Sequence, residues 1–466
     1  MKKLVFVIAV LLLAAATAWY FFRQNDRARN TLPADAVTVM TFDPVELATE
    51  LDIGLRDILS LLKSEGDDGS MGIDLTQPAY AFMSESGLSG VALNVSDADK
   101  LLASVSRLGF SSEKQRGVQW IRTGMALGCL DKDKMLLCWF ASEAEQTALR
   151  DKMLRLMKQS RQEVPILDRA NKQKGFLRMS TSLRNLPKAY MPANLDLFNA
   201  FQSASLTIGE QDVTLSARME DEDGKSYAAE FTGEEILRPI DGLLKTVLPT
   251  KPFAWLCFNV KGEQLLKIMR SYPQWRNALM ALNVNFFDAD LMLKAIDGDV
   301  VIMMPKADLA HHDMLITAKI SNSDFLTNVD EWNVTSQAGA SLQRRGSADD
   351  YVFTFMGMTC YFGVRDDVLY IASSEQLADH VLFDSETNDL LQTAAGKYLS
   401  GSIDISQFIK YYASMALMLG ATPQIYEAVD AIDKITLSAD TPWSMDMSLQ
   451  TRKPIKDILL GFLKKQ

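Results

Sequence analysis

The chain carries one long pattern twice, and that repeat limits the folds open to it. Leu32-Pro33-Ala34-Asp35-Ala36-Val37-Thr38-Val39-Met40-Thr41-Phe42-Asp43 lines up with Leu248-Pro249-Thr250-Lys251-Pro252-Phe253-Ala254-Trp255-Leu256-Cys257-Phe258-Asn259, 216 positions later. Each run reads as an apolar strand entered through proline, with a helix after it. That helix is expected over Val45 to Lys63 in the first copy and Gly262 to Leu282 in the second. Further blocks follow in the same order. The strand Pro78–Met83 matches Val300–Met304, and Val95–Leu101 matches Ile320–Leu326, each a strand end with Ser, Asp or Asn placed to cap a helix. A hairpin from Gly124-Met125 to Met135-Leu136 matches Gly357-Met358 to Val368-Leu369, at an offset of 233. Phe176-Leu177 matches Tyr398-Leu399, and Arg238-Pro239-Ile240-Asp241 matches Lys453-Pro454-Ile455-Lys456. The last pair is expected to open an amphipathic terminal helix in each copy, with proline in its first turn. An unrelated strand–helix pattern would drift more than these offsets do.

The expectation is therefore an α+β protein of two tandem duplicated units, residues 31–247 and 248–466, after a leading segment 1–30. Strands follow strands often enough for antiparallel pairing with helices packed on a face, rather than a doubly wound sheet. Leu149 to Lys174 reads as a long basic helical stretch, matched by a shorter one over Leu377 to Lys397.

Leu4 to Phe22 is an uncharged, mostly apolar run between Lys3 and Arg23. It is just long enough to cross a bilayer as a helix. Ala16-Thr17-Ala18 fits a signal-peptidase site, which gives secretion as the alternative. Trp19, Tyr20, Phe21 and Phe22 extend the run beyond that site and suit a membrane interface, which favours a retained anchor. The expected location is the inner membrane, single-pass, with the body on the periplasmic side. No cysteine precedes Cys129, so the sequence offers no N-terminal cysteine for a lipid.

A net charge of −11 makes nucleic acid an unsuitable partner. The four cysteines form no C-x-x-C pair, which argues against zinc. Cys257 with Cys360 is the one pairing weighed for a disulfide. Of the three histidines, His311 and His312 fall in a loop and His380 in a helix. Gly87-Leu88-Ser89-Gly90-Val91 lacks the last glycine of a nucleophile elbow. Asp288, Asp290, Asp297 and Asp299 lack the spacing of a calcium loop, and Asp297-Gly298-Asp299 reads as a tight turn. Met303, Met304, Met356, Met358, Met415, Met418, Met445 and Met447 crowd the second half, as core filler or as an adaptable apolar surface. No catalytic, cofactor-binding or metal residue is assigned.

Leu32-Pro33-Ala34-Asp35-Ala36, the Gly72-Ile73-Asp74-Leu75-Thr76-Gln77-Pro78 turn and the doubled layout together resemble an uncharacterised family of Bacteroidota envelope proteins, a domain-of-unknown-function family of mostly predicted lipoproteins. The resemblance spans nearly all of 31–466 and implies no reaction and no site residue. The functional expectation is a non-enzymatic, membrane-tethered envelope protein that binds a protein partner or an apolar ligand such as a lipid. An envelope hydrolase using an acid pair and a structural spacer are the alternatives.

Overall fold

A computed structural model of the chain describes residues 26–61, 71–115, 117–140, 142–160, 162–186, 200–227, 236–244, 246, 251–271, 273–285, 288–307, 313–327, 329, 341–346, 349–355, 357–379, 389–407, 409 and 430–463. Contacts divide the chain into two compact units. One runs to Tyr227 and includes Pro454–Gln466; the other is Ala228–Lys453. A sequence cut at 247/248 places both 228–247 and 454–466 differently. The Leu4–Phe22 run lies outside the described residues. Among the described residues no helix is long and apolar enough to cross a membrane.

The first unit comprises β1 (Ala36–Phe42), α1 (Pro44–Glu50), α2 (Leu55–Leu61), β2 (Ala79–Ser84), β3 (Ser89–Asn94), α3 (Ala98–Arg107), β4 (Ser111–Gln115), β5 (Val118–Arg122), β6 (Ala126–Leu130), β7 (Lys134–Trp139), α4 (Gln146–Lys158), α5 (Pro165–Ala170), β8 (Leu177–Ser182), β9 (Phe201–Ile208) and β10 (Asp212–Glu220). The sheet runs β4-β5-β6-β7-β3-β2-β1-β8-β9-β10, antiparallel throughout. Along β1, β2 and β3 every second residue is buried, as a strand with one covered face requires. Val39, Phe82, Leu136 and Cys138 on that face pack with Leu149, Met153 and Leu156 of α4 and Leu167 of α5. A second cluster sets Leu101 of α3 against Ile121, Leu130 and Met135.

The second unit comprises β11 (Leu237–Arg238), β12 (Ala254–Lys261), α6 (Gly262–Ser271), α7 (Pro273–Asn285), α8 (Ala289–Ala295), β13 (Ile296–Met304), β14 (Leu315–Ile320), β15 (Ser341–Arg344), β16 (Asp350–Phe355), β17 (Met358–Arg365), β18 (Val368–Ala372), α9 (Glu375–Asp379), α10 (Asp389–Ala394), β19 (Leu399–Ile403), β20 (Ile432–Ala439) and β21 (Ser444–Thr451). Its sheet runs β15-β16-β17-β18-β14-β13-β12-β19-β20-β21, again antiparallel. Strand for strand, this is the path of the first unit. Met40 pairs with Ala81 and Met179, while Leu256 pairs with Ile302 and Gly401.

Several sequence expectations are corrected by these elements. The hairpin register shifts by one residue: Leu93 faces Met135, whereas Ala318 faces Leu369, so Leu369 rather than Val368 stands where Met135 does. Because strand side chains alternate, that single step decides which of them are buried. Each expected long helix is two shorter ones. Val45–Lys63 breaks after Leu51, where Asp52 takes a left-handed φ of 50°. The Leu149–Lys174 stretch breaks after Lys158, where Gln159 turns extended, and resumes as α5 at Pro165; Pro273 starts α7, because proline has no N–H to continue the preceding helix. Residues 240–244 are not helical, and Gly242 has φ 71°. Asp297-Gly298-Asp299 belongs to β13, at a register irregularity between Ile296 and Val300, and is no turn.

Cys257 and Cys360 are both free. They stand on β12 and β17, four strand spacings or roughly 19 Å apart, against a disulfide limit of about 7 Å between Cα atoms. The C-terminal helix α11 (Ile455–Leu463) packs in the first unit, where the Ile455 N–H donates to Glu210 O at 2.9 Å.

Candidate functional site

Three helices of the first unit border an open cleft of about 660 Å³. Val45, Ala48, Thr49 and Asp52 line it from α1 and the residues just after it, at spacings of three, four and seven that put them on one helix face. Ile53, Gly54 and Leu55 form the turn into α2. Lys456 and Leu460, four apart on α11, close the opposite wall. Apolar side chains (Val45, Ala48, Ile53, Leu55 and Leu460) make half of the lining, and charge is confined to Asp52, Asp57 and Lys456.

The α1 wall is anchored from both ends. Asp43 caps the helix by accepting the Glu46 N–H at 3.2 Å, with Pro44 at its first position. Arg178 of β8 reaches Asp43 at 3.1 Å and Glu46 at 3.3 Å. Glu50 accepts the Ile208 N–H at 3.0 Å, and its burial pushes this carboxyl above its ordinary range. The α11 wall is held more lightly. Lys456 Nζ donates to Asp52 O at 2.6 Å and to its Oδ2 at 2.9 Å, which holds that carboxyl below the ordinary range.

Nothing in the lining is arranged as a nucleophile and base. The Thr49 hydroxyl is spent on Val45 O at 2.8 Å, and no lining residue is His or Cys. An open cleft of this volume, lined by apolar and polar groups in near-equal share, offers room for a small ligand.

Three polar clusters elsewhere are structural by the same test. Asp299, at 0% exposure, accepts the N–H groups of Asp241 (3.1 Å) and Gly242 (2.9 Å) and Nδ2 of Asn259 (2.7 Å). Burial, then the neighbouring Asp241, pushes its carboxyl up to about 6. Burial alone would raise Asp241 as well, but the hydrogen bond with Asp299, the Leu243 N–H and Lys319 hold it below its ordinary range. The oxygens of Asp299 are already used to bind the 241–242 backbone. Asp350 accepts from Arg365 at 2.7 Å and from the Tyr370 hydroxyl at 2.8 Å. Asp26 accepts from the Tyr80 hydroxyl at 2.5 Å and from Asn94 at 3.0 Å.

The residues weighed in the sequence scatter. Asp288 caps α8, Asp290 pairs with Arg270, Asp297 with Arg238, and Asp299 is buried. Among the described residues no group of three or more potential ligands could hold a metal ion. His311, His312 and His380 lie outside the described residues, as do Met356, Met415 and Met418. Met303 is core, whereas Met445 and Met447 share an exposed face of β21 and Met358 is exposed at a hairpin tip. Burial pushes the Cys129 and Cys138 thiols up to about 12, which leaves them inert at neutral pH. The sequence reading missed the cleft itself. Its one signal was α11, where Ile455, Ile458, Leu459 and Leu460 put apolar side chains on more than one face.

A comparison with curated proteins finds no match. Among solved structures the chain is similar to crystal forms IV, I and III of TP0453, at 14%, 11% and 12% identity. These cover 41%, 42% and 43% of this chain and 79%, 80% and 81% of the other, with TM-scores of 0.27, 0.27 and 0.28, values too low to carry an argument. Residues 56–390 match the family model described as Domain of unknown function (DUF4836), and the chain belongs to that family.

Proposed function

We propose that this chain is a non-enzymatic envelope protein, tethered by Leu4–Phe22, whose body binds an apolar ligand in the α1–α2–α11 cleft. The carrying observation is that open cleft: about 660 Å³, within the usual range for small-molecule sites, with five apolar side chains, charge confined to Asp52, Asp57 and Lys456, and no histidine or cysteine in its lining. A lipid-like ligand fits, its chain against Val45, Ala48, Ile53 and Leu460 and its polar end toward Lys456. The anchor favours a periplasmic face of the inner membrane, with secretion after cleavage at Ala18 as the alternative. The resemblance to Bacteroidota envelope lipoproteins supports the same compartment. The common strand order of the two units, together with their matched sequence blocks, supports an origin by duplication.

The test is purification from membranes in mild detergent, with native mass spectrometry and solvent extraction. A co-purifying lipid-like molecule, displaced in Thr49→Trp without loss of the folded signal, is the expected result. Thr49 is exposed at the cleft wall, so the substitution fills space without disturbing the core. A native protein that carries no such molecule, and that binds an apolar fluorophore as well as Thr49→Trp does, would sink the reading.

A further inference from the structure

Residues 26–28 are held in a clamp. Asn94, 3% exposed at the end of β3, accepts the N–H groups of Arg27 (2.8 Å) and Ala28 (3.0 Å) on its Oδ1. Its Nδ2 donates to Asp26 at 3.0 Å and to Pro78 O at 3.0 Å. Asp26 is itself 8% exposed and takes the Tyr80 hydroxyl, so three buried side chains hold two consecutive backbone amides. Burial pushes the Asp26 carboxyl above its ordinary range, and Tyr80 and Asn94 draw it partly back. Beyond the clamp, Ala28 is fully buried, and Gln159 donates to Asn30 O at 2.9 Å and Leu32 O at 2.8 Å. The chain enters the core at once, with no free linker after Asp26.

The apolar run ends at Phe22, four residues before Asp26, a reach of at most about 14 Å. We infer that the clamp holds one end of the first unit against the bilayer surface, at fixed height and orientation, so that this end is a lipid-facing surface. The inference rests on the tether proposed above. The end in question is set by the strands. Asn94 pairs with Lys134, the Asp74 N–H donates to Asn94 O, and the Val95 N–H donates to Asp133 O. The Asp131–Lys134 turn therefore stands beside Asp26, and Arg27 lies 3.6 Å from Asp133. The β2–β3 turn at Glu85 stands at the opposite end of β3, roughly 17 Å away for a strand of this length. A flexibly linked body would sample both ends near the membrane. A clamped one presents only the first.

The experiment uses the full chain with Cys360→Ser, reconstituted in phosphatidylcholine vesicles that carry a nitroxide-headgroup lipid. A cysteine fluorophore is placed through Lys132→Cys or Glu85→Cys, both exposed positions. Flotation with the vesicles reports the tether, and quenching reports orientation. Expected are flotation, strong quenching at 132, weak quenching at 85, and loss of that contrast when about ten Gly/Ser residues, adding roughly 18 Å, are inserted between Asn25 and Asp26. A chain that fails to float overturns the tether and this inference together. A chain that floats but is quenched equally at both positions, or keeps its contrast after the insertion, overturns the inference and leaves the tether standing.

Discussion

Asp299 has no exposed surface, and backbone N–H groups occupy both of its oxygens, so its protonation is tied to folding. Its carboxyl titrates near 6 in the folded chain against 3.8 unfolded. Below about pH 4 both states hold the proton, and above about pH 6 neither does. Between those limits the folded state holds it while the unfolded chain has lost it, so this group's contribution falls as pH rises and is level above 6. The lowered carboxyl of Asp241 acts below that window. Asp299→Asn leaves a backbone donor without its acceptor and costs about 1–3 kcal/mol. In thermal unfolding from pH 4 to 6, the wild-type advantage over Asp299→Asn is expected to shrink; an advantage that does not change with pH would refute the assignment. Gly72 gives a second residue-scale expectation. Its φ is 74°, and an added Cβ would lie 2.2 Å from Asp97 O and 2.5 Å from the Leu101 nitrogen at the start of α3. Left-handed strain and overpacking together put Gly72→Ala at about 2–4 kcal/mol, read by denaturant unfolding. The Gly72–Pro78 turn was visible in the sequence as a short motif, but its closeness to α3 was not, because that contact depends on tertiary packing. Asp299 was misread as part of a turn because Gly298, with φ 152°, serves a strand irregularity there.

Strands were more legible than helices. The alternation along β1, β2 and β3 and the charged turns of both hairpins could be read directly, since one covered face imposes a period of two. Helix ends were overrun at Lys158, where Gln159 turns extended, and at Pro273, where an apolar pattern continues across a proline that opens a new helix. The cleft depends on a break of another kind, the turn between α1 and α2, whose Asp52, Ile53 and Gly54 line it. Its other wall, α11, was read as a packing helix without its partner being visible. Two contacts of α11 should differ sharply in strength. Ile455 is 7% exposed, and Ile455→Ala is expected to cost about 2–4 kcal/mol. Lys456→Ala breaks an exposed ion pair and should cost under about 1 kcal/mol. Hydrogen exchange of 455–463 separates the two: a large loss of protection in Lys456→Ala with little in Ile455→Ala would mean that the ion pair, not burial, docks the helix.

At the scale of the molecule, two units follow one strand path, yet the chain is not divided between them at a single point. Residues 454–466 come after the second unit in sequence and pack in the first. The repeat offsets located the strands, but they could not show which unit receives each terminal segment, because an apolar helix is equally able to cover either sheet. Each unit has its own clusters, with Leu127 and Leu136 in one and Val301 and Tyr370 in the other. Removing residues 454–466 should therefore weaken the first unit, four hundred residues earlier in the chain, and spare the second, which it directly follows. Peptides over 44–58 should lose exchange protection, since α11 covers the cleft they line and ties down Asp52. Peptides over 399–403 and 432–439 should keep theirs, because β19 and β20 pair with each other and β19 pairs with β12 without involving α11. Loss confined to the second unit would show that α11 belongs to its own half. Equal loss in both would mean that the two units open as one cooperative body.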